Sequence, residues 1–133
     1  MFSFVIAYRY LEARRNRITT LLSQLKEITD DVVVCDQSDP AGPDDLSMAS
    51  LMIRDPQPYF CKGRALNLAI EAASYAYIAM IDMDIVLPVD FIQQIQKHFE
   101  CSDRVLLLFD FLQDGNPYFP DSPGGVNVFS RRC

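Results

Sequence analysis

Phe2-Ser3-Phe4-Val5-Ile6-Ala7 is an almost unbroken apolar run rich in β-branched and aromatic residues, which predicts a buried strand. The period then changes. Ile18, Leu21, Leu22, Leu25 and Ile28 recur at helical spacing, with Arg, Thr, Ser and Gln between them, so an amphipathic helix should follow. Asp31-Val32-Val33-Val34-Cys35 predicts a second buried strand, and Asp36-Gln37-Ser38-Asp39-Pro40 behind it has turn composition. Residues 41–50 are polar and loop-like, and Leu51-Met52-Ile53 reads as a short third strand. Pro56 and Pro58 then hold the backbone extended. Leu66, Ala69, Ile70, Ala73 and Tyr77 mark the inner stripe of a second helix, and Tyr77–Ile81 a fourth strand. Pro88 suits the start of a third helix whose buried face is Phe91, Ile92, Ile95 and Phe99. Val105–Phe111 predicts a fifth strand and Val126–Phe129 a sixth.

Strands alternating with amphipathic helices imply an α/β fold with a mostly parallel sheet and helices on both faces. The 133 residues suit a single domain, 1–133, and half of them are apolar, enough to bury a core. In such sheets ligands bind beyond the carboxyl ends of the strands. Three polar groups are expected there: Tyr8 with Arg9, Asp36 to Asp39, and Asp82 to Asp84.

Charge narrows the partners. A net charge of −6 argues against nucleic acid, whose phosphates need a basic face. The distribution is uneven, however. Arg9, Arg14, Arg15, Arg17 and Lys26 face only Glu12 in the first 26 residues, whereas Asp30, Asp31, Asp36, Asp39, Asp44, Asp45 and Asp55 face only Arg54 between 30 and 55. The basic segment could hold a small anion; two oppositely charged solvated faces are the plainer account. Four cysteines without a CxxC pair suggest reduced thiols and a cytoplasmic protein, with Cys35 and Cys61 as small core residues. No apolar run is long enough to span a bilayer, so no transmembrane segment is expected and any membrane association would be peripheral.

Asp82-Met83-Asp84 carries the sharpest chemistry. Two carboxylates one residue apart, directly after an apolar strand, can address one hard cation, and Mg²⁺ or Mn²⁺ bound this way commonly bridges to substrate phosphates. A solvated turn with two incidental acids is the bland alternative, because the motif alone is weak. Two chemistries use the pattern. A phosphohydrolase of the haloacid dehalogenase type would use the first aspartate as nucleophile, and Ile81–Leu87 does resemble that family's first motif. A nucleotide-sugar transferase would use the pair to hold a metal on a diphosphate. The dehalogenase-type motif belongs on the opening strand of its domain, whereas here three predicted strands precede it, so placement favours the transferase.

Ordered blocks add a family resemblance. Phe60-Cys61-Lys62-Gly63-Arg64-Ala65-Leu66-Asn67, followed by Leu68–Ala73 and Tyr77–Pro88, resembles the central stretch of family 2-type glycosyltransferases of the GT-A fold, near their galactosyltransferase-like branch. Ala7-Tyr8-Arg9 resembles the end of that group's first strand, Val34–Ser38 the acidic turn after its second, and Pro123–Arg131 its Gly-Gly strand. The resemblance implies a Rossmann-like GT-A sheet and transfer of a sugar from a UDP-sugar donor to a hydroxyl of a glycan or other acceptor. It places Ala7, Tyr8 and Arg9 along the nucleotide, Asp36 on the uracil or ribose, and Arg64 on phosphate. Asp82, Met83 and Asp84 would line the donor site, with Asp84 the direct ligand of Mn²⁺ or Mg²⁺ and Asp82 nearby. Gly124, Gly125 and Asn127 would fall on the sugar and acceptor side. Each has an ordinary alternative: Asp36 can cap a turn, Arg64 can be a surface cation, and Gly124-Gly125 can simply turn the chain.

The family pattern normally continues past its Gly-Gly strand into an acidic pair that includes the catalytic base. This chain ends at Arg131-Arg132-Cys133, and Asp110, Asp114 and Asp121 do not match that pair. The expectation is therefore a donor domain truncated at its carboxyl end with no assigned catalytic base, or a module that binds nucleotide-sugar without transfer.

Overall fold

β1 (Phe2–Tyr8) is buried at every position, as a strand with covered faces on both sides must be. The computed structural model describes residues 2–99, 107–108, 111–113, 116–118 and 126–130. β1 pairs in parallel with β2 (Val32–Asp36) on one side and β4 (Tyr77–Ile81) on the other. β3 (Leu51–Arg54) extends the sheet beyond β2, again in parallel. β8 (Val126–Ser130) runs antiparallel between β4 and the two-residue β5 (Leu107–Leu108). The sheet order is β3-β2-β1-β4-β8-β5, so the expected mostly parallel, Rossmann-like GT-A arrangement is the observed one. β6 (Phe111–Gln113) and β7 (Asn116–Tyr118) form a separate antiparallel pair. The expected strand over Val105–Phe111 is thus divided: Leu107–Leu108 joins the main sheet, while Phe111 opens the small hairpin.

The two faces of β1 feed two cores. Phe2, Phe4, Ile6 and Tyr8 pack against α1 (Arg17–Lys26) and α3 (Phe91–Phe99), whereas Val5 and Ala7 pack against α2 (Lys62–Ala72). In α1, Ile18, Leu21, Leu22 and Leu25 are buried at i, i+3, i+4 and i+7, each contributing about 1.5–3 kcal/mol through loss of apolar contact with water. Ile28 does not belong to this face; the helix ends at Lys26 and Ile28 is exposed. The chain enters α1 through Asn16 at φ 64°, a left-handed conformation that asparagine tolerates better than most residues.

α3 is pinned by Phe91, whose ring lies 6.2 Å from that of Phe4, and by the buried Ile95. Pro88 lies before this helix rather than in its first turn, and its carbonyl accepts from the N–H of Phe91. On the other face α2 approaches the sheet through Ala65 and Ala69, with Ala73 just past its end; Leu66 and Ile70 are only partly buried. Small side chains at the contact let helix and sheet approach closely. Tyr77 belongs to β4, not to the helix stripe. Among the described residues, no helix is long and apolar enough to cross a membrane.

At the amino ends of the strands a polar latch closes the fold. The buried Ser3 hydroxyl donates to Asp31 and accepts from the N–H of Tyr75 at 2.8 Å, while Asp31 also accepts from the N–H of Ser74 at 2.7 Å. These bonds join β1, the approach to β2 and the α2–β4 turn at the end opposite the polar strand ends.

Candidate functional site

The order β3-β2-β1-β4 contains a topological switch. The chain steps outward from β1 to β2 to β3, then crosses back by α2 to place β4 on the other side of β1. Connections leave β1 and β4 in opposite directions, which opens a crevice at their carboxyl ends, the favoured ligand position in open α/β sheets. A recess of ≈ 110 Å³ lies there, lined by Ala7, Arg14, Phe60, Lys62, Asp82, Met83 and Asp84.

The turn after β4 presents its two carboxylates by burying the residue between them. Met83 is buried in the core with Leu87 and Phe91, so Asp82 and Asp84 are left half-buried at the rim. The N–H of Ile85 bonds to the carbonyl of Asp82 at 3.3 Å and closes the turn. Both carboxylates meet basic side chains. Lys62 Nζ lies 2.5 Å from Asp82 Oδ1, and Arg14 Nη1 lies 3.3 Å from Asp84 Oδ2. Lys62 opens α2, so the amino end of that helix, a natural anion site, borders the same recess.

The remaining expected residues are distributed around this centre. Tyr8 sends its ring into the core and donates its hydroxyl to Asp44 at 2.6 Å; burial, then Asp44, pushes its pKa up. Its carbonyl accepts from the N–H of Gln37, so neither end of Tyr8 opens into the recess. Arg9 donates to the carbonyls of Gln37 and Gln57 at 3.2 and 2.8 Å, tying the end of β1 to the segment after β3. It also lines a neighbouring recess of ≈ 270 Å³ with Tyr10 and residues 38–43. Gly42 is required there, since a Cβ on it would meet Tyr10 Cβ at 2.5 Å.

Asp36 stands in register with Tyr8 on one side and Arg54 on the other. It is buried, accepts from the Ser38 N–H at 2.8 Å and pairs with Arg54 at 2.6 Å. The turn-capping alternative for Asp36 is therefore realised. Arg64 uses its fork on Asp55, with Nε and Nη2 each 2.8 Å from a carboxylate oxygen. Arg64 holds Asp55 well below the usual aspartate range, at about 2. Asn127 lies on β8, half-buried, opposite Met80 of β4 and Leu108 of β5. Gly124 and Gly125 lie outside the described residues, as do Asp110, Asp114 and Asp121.

The structure thus gathers Ala7, Asp82, Met83 and Asp84, and adds Arg14, Phe60 and Lys62. Lys62 carries a signal in the sequence, as a cation at a helix start inside the family-like block. Arg14 is legible only as one of several cations in the basic first segment, because it sits in an irregular stretch, a single 3-10 turn over Glu12–Arg14, with no periodicity to place it. Gln37 was also unforeseen: fully buried, it bonds Asp55 and both backbone groups of Cys61, fixing the entrance to α2. Cys61 itself is exposed rather than a core residue, whereas Cys35 is buried as expected. Six of the seven aspartates between 30 and 55 accept hydrogen bonds within the fold, which makes most of that acidic run structural.

The model of the family described as Glycosyl transferase family 2 matches residues 4–124. Among solved structures, the chain is similar to S. aureus TarS 1–349, with a TM-score of 0.70 and 15% identity over 97% of this chain and 46% of that one. It is also similar to the bifunctional IspDF of Campylobacter jejuni, with a TM-score of 0.55 and 8% identity over 98% of this chain and 41% of that one. The chain therefore spans about half the length of either structure. No curated protein matches it in sequence.

Proposed function

Because the chain belongs to glycosyl transferase family 2, we propose that it is the donor-binding part of a metal-dependent hexosyltransferase that holds a UDP-sugar and passes the sugar to an acceptor hydroxyl on a glycan or similar molecule. The ordered blocks around Asp82 favour the galactosyltransferase-like branch. The observation that carries this reading is the position of Asp82-Met83-Asp84 at the switch point between β1 and β4, beside the amino end of α2.

The carboxylate pair fits Mn²⁺ or Mg²⁺ of a particular kind. Among the described residues no three His, Cys, Asp or Glu side chains cluster as a ready-made cage. Two carboxylates suit a cation that completes its shell with water and diphosphate oxygens. Asp84 would be the direct ligand and Asp82 its neighbour near the ribose. When bound, the metal supplies positive charge against the departing diphosphate.

The chain's own groups do the rest. Lys62 and Arg14 offer N–H donors beside the leaving phosphate, Ala7 keeps the floor of the recess low, and Phe60 gives it an apolar wall. Cations brought beside the diphosphate stabilise charge that develops as the sugar departs. Arg64 would serve phosphate only by leaving Asp55, and Tyr8 and Asp36 would act through the backbone geometry they brace. A dehalogenase-type phosphohydrolase is disfavoured because the motif follows the fourth strand rather than the first.

Calorimetry with UDP and UDP-sugars, with and without Mn²⁺, tests the proposal. Binding should require the metal and disappear in Asp84→Ala. Absence of UDP binding, or binding indifferent to both metal and Asp84→Ala, overturns it.

A further inference from the structure

Both carboxylates at the rim are already partnered, and by cations from different elements. Lys62 comes from the first turn of α2 and Arg14 from the short turn between β1 and α1. Asp82, Asp84, Lys62 and Arg14 together carry no formal net charge. A divalent cation entering alone would leave the cluster with two unbalanced positive charges in a recess partly screened from water. A divalent cation entering with the diphosphate of a nucleotide-sugar, which carries two negative charges, would leave it neutral. The two basic side chains are about half exposed, so they can move without opening the core.

From this charge balance we propose that Arg14 and Lys62 are positioning residues that make metal and diphosphate load as one unit. Each pairs with an aspartate and transfers to a diphosphate oxygen when that aspartate turns to the metal. The inference rests on the donor-site reading above. It adds that the aspartates are masked before loading, with Arg14 standing in for the metal on Asp84. No covalent bond changes; two ion pairs are exchanged for two others.

The test is a spin-resonance titration of free Mn²⁺ against the full chain, with and without UDP. It compares the wild type with Arg14→Gln, Lys62→Gln and the charge-matched control Arg15→Gln, whose native partner is Glu12 at 3.8 Å. In the wild type UDP should tighten Mn²⁺ binding. Arg14→Gln and Lys62→Gln should each bind Mn²⁺ alone about fivefold more tightly, the scale of a part-exposed ion pair, and lose part of the gain from UDP. Arg15→Gln should behave as wild type. Unchanged or weaker binding of Mn²⁺ alone in the two site variants overturns the inference, as does an equal gain in Arg15→Gln. If UDP-linked Mn²⁺ binding is present and lost in Asp84→Ala while Arg14→Gln and Lys62→Gln match wild type, only this inference fails. If the wild type shows no UDP-linked Mn²⁺ binding, the donor-site reading fails with it.

Discussion

The side-chain amide of Gln24 makes two hydrogen bonds to the backbone of Leu87: Nε2 donates to the carbonyl and Oε1 accepts from the N–H, both at 3.2 Å. Gln24 lies on α1 and Leu87 is three residues past Asp84, so a helix on one face of the sheet fixes the exit of the acidic turn. Gln24→Ala would leave both Leu87 backbone groups without these partners. Unfolding in urea should show a loss of about 1–3 kcal/mol, the cost of unsatisfied polar groups in a part-buried site. Metal-dependent UDP binding should weaken in the same variant. A stability and an affinity both equal to wild type would mean the clamp does nothing.

Asp55 gives the fold a pH dependence of known sign. Its fork from Arg64 lowers the carboxyl from the ordinary 3.8 to about 2. A group with a lowered native pKa contributes stability that is present above its unfolded value and is lost as pH falls through the native one. The Arg64–Asp55 link should therefore persist through pH 4 and fail only as the pH approaches about 2. Carbon-detected NMR titration of Asp55 checks this, with the midpoint expected to rise toward 3.8 in Arg64→Met.

The two described cysteines should differ in reactivity. Cys35 is buried in β2, and burial pushes its thiol up to about 11, whereas Cys61 is exposed ahead of α2. The thiolate is the reacting form, so iodoacetamide near pH 8 should label Cys61 long before Cys35 in the native chain. Peptide mass mapping reads the difference, which should vanish in urea. Equal labelling of both in the native chain would contradict the burial of β2.

Close approach of α2 to the sheet depends on Ala69, which has no exposed surface. Ala69→Leu inserts volume where Ala65 and Ala69 let the helix sit against β1 and β2, and should cost about 1–3 kcal/mol. The midpoint of denaturant unfolding measures it. Leu68→Ala, at a half-buried neighbour, should cost less.

Periodicity made most of the fold legible. β1, β2, β4, α1 and α3 follow directly from apolar runs or helical stripes, because burial on two faces or one leaves a period that can be read residue by residue. The fifth strand was not legible. Val105–Phe109 is uniformly apolar and Asp110 alone interrupts the run before Phe111, too little to say where one sheet ends and a hairpin begins. Cys61 misled for a related reason: apolar neighbours do not imply burial at a helix entrance.

Asp82 and Asp84, their separation by one residue and their place behind an apolar strand were determined by the sequence alone, since local pattern decides which residues follow a strand. Which cations face them was decided only by the tertiary structure. Arg14 and Lys62 are far apart along the chain and meet at the recess because β4 crosses back beside β1. The same holds for Asp36 and Arg64, whose partners Arg54 and Asp55 are set by strand register and the α2 approach. Short-range pattern specifies elements; the pairing of charges between elements depends on how the sheet is ordered, and that order is not written in any one segment.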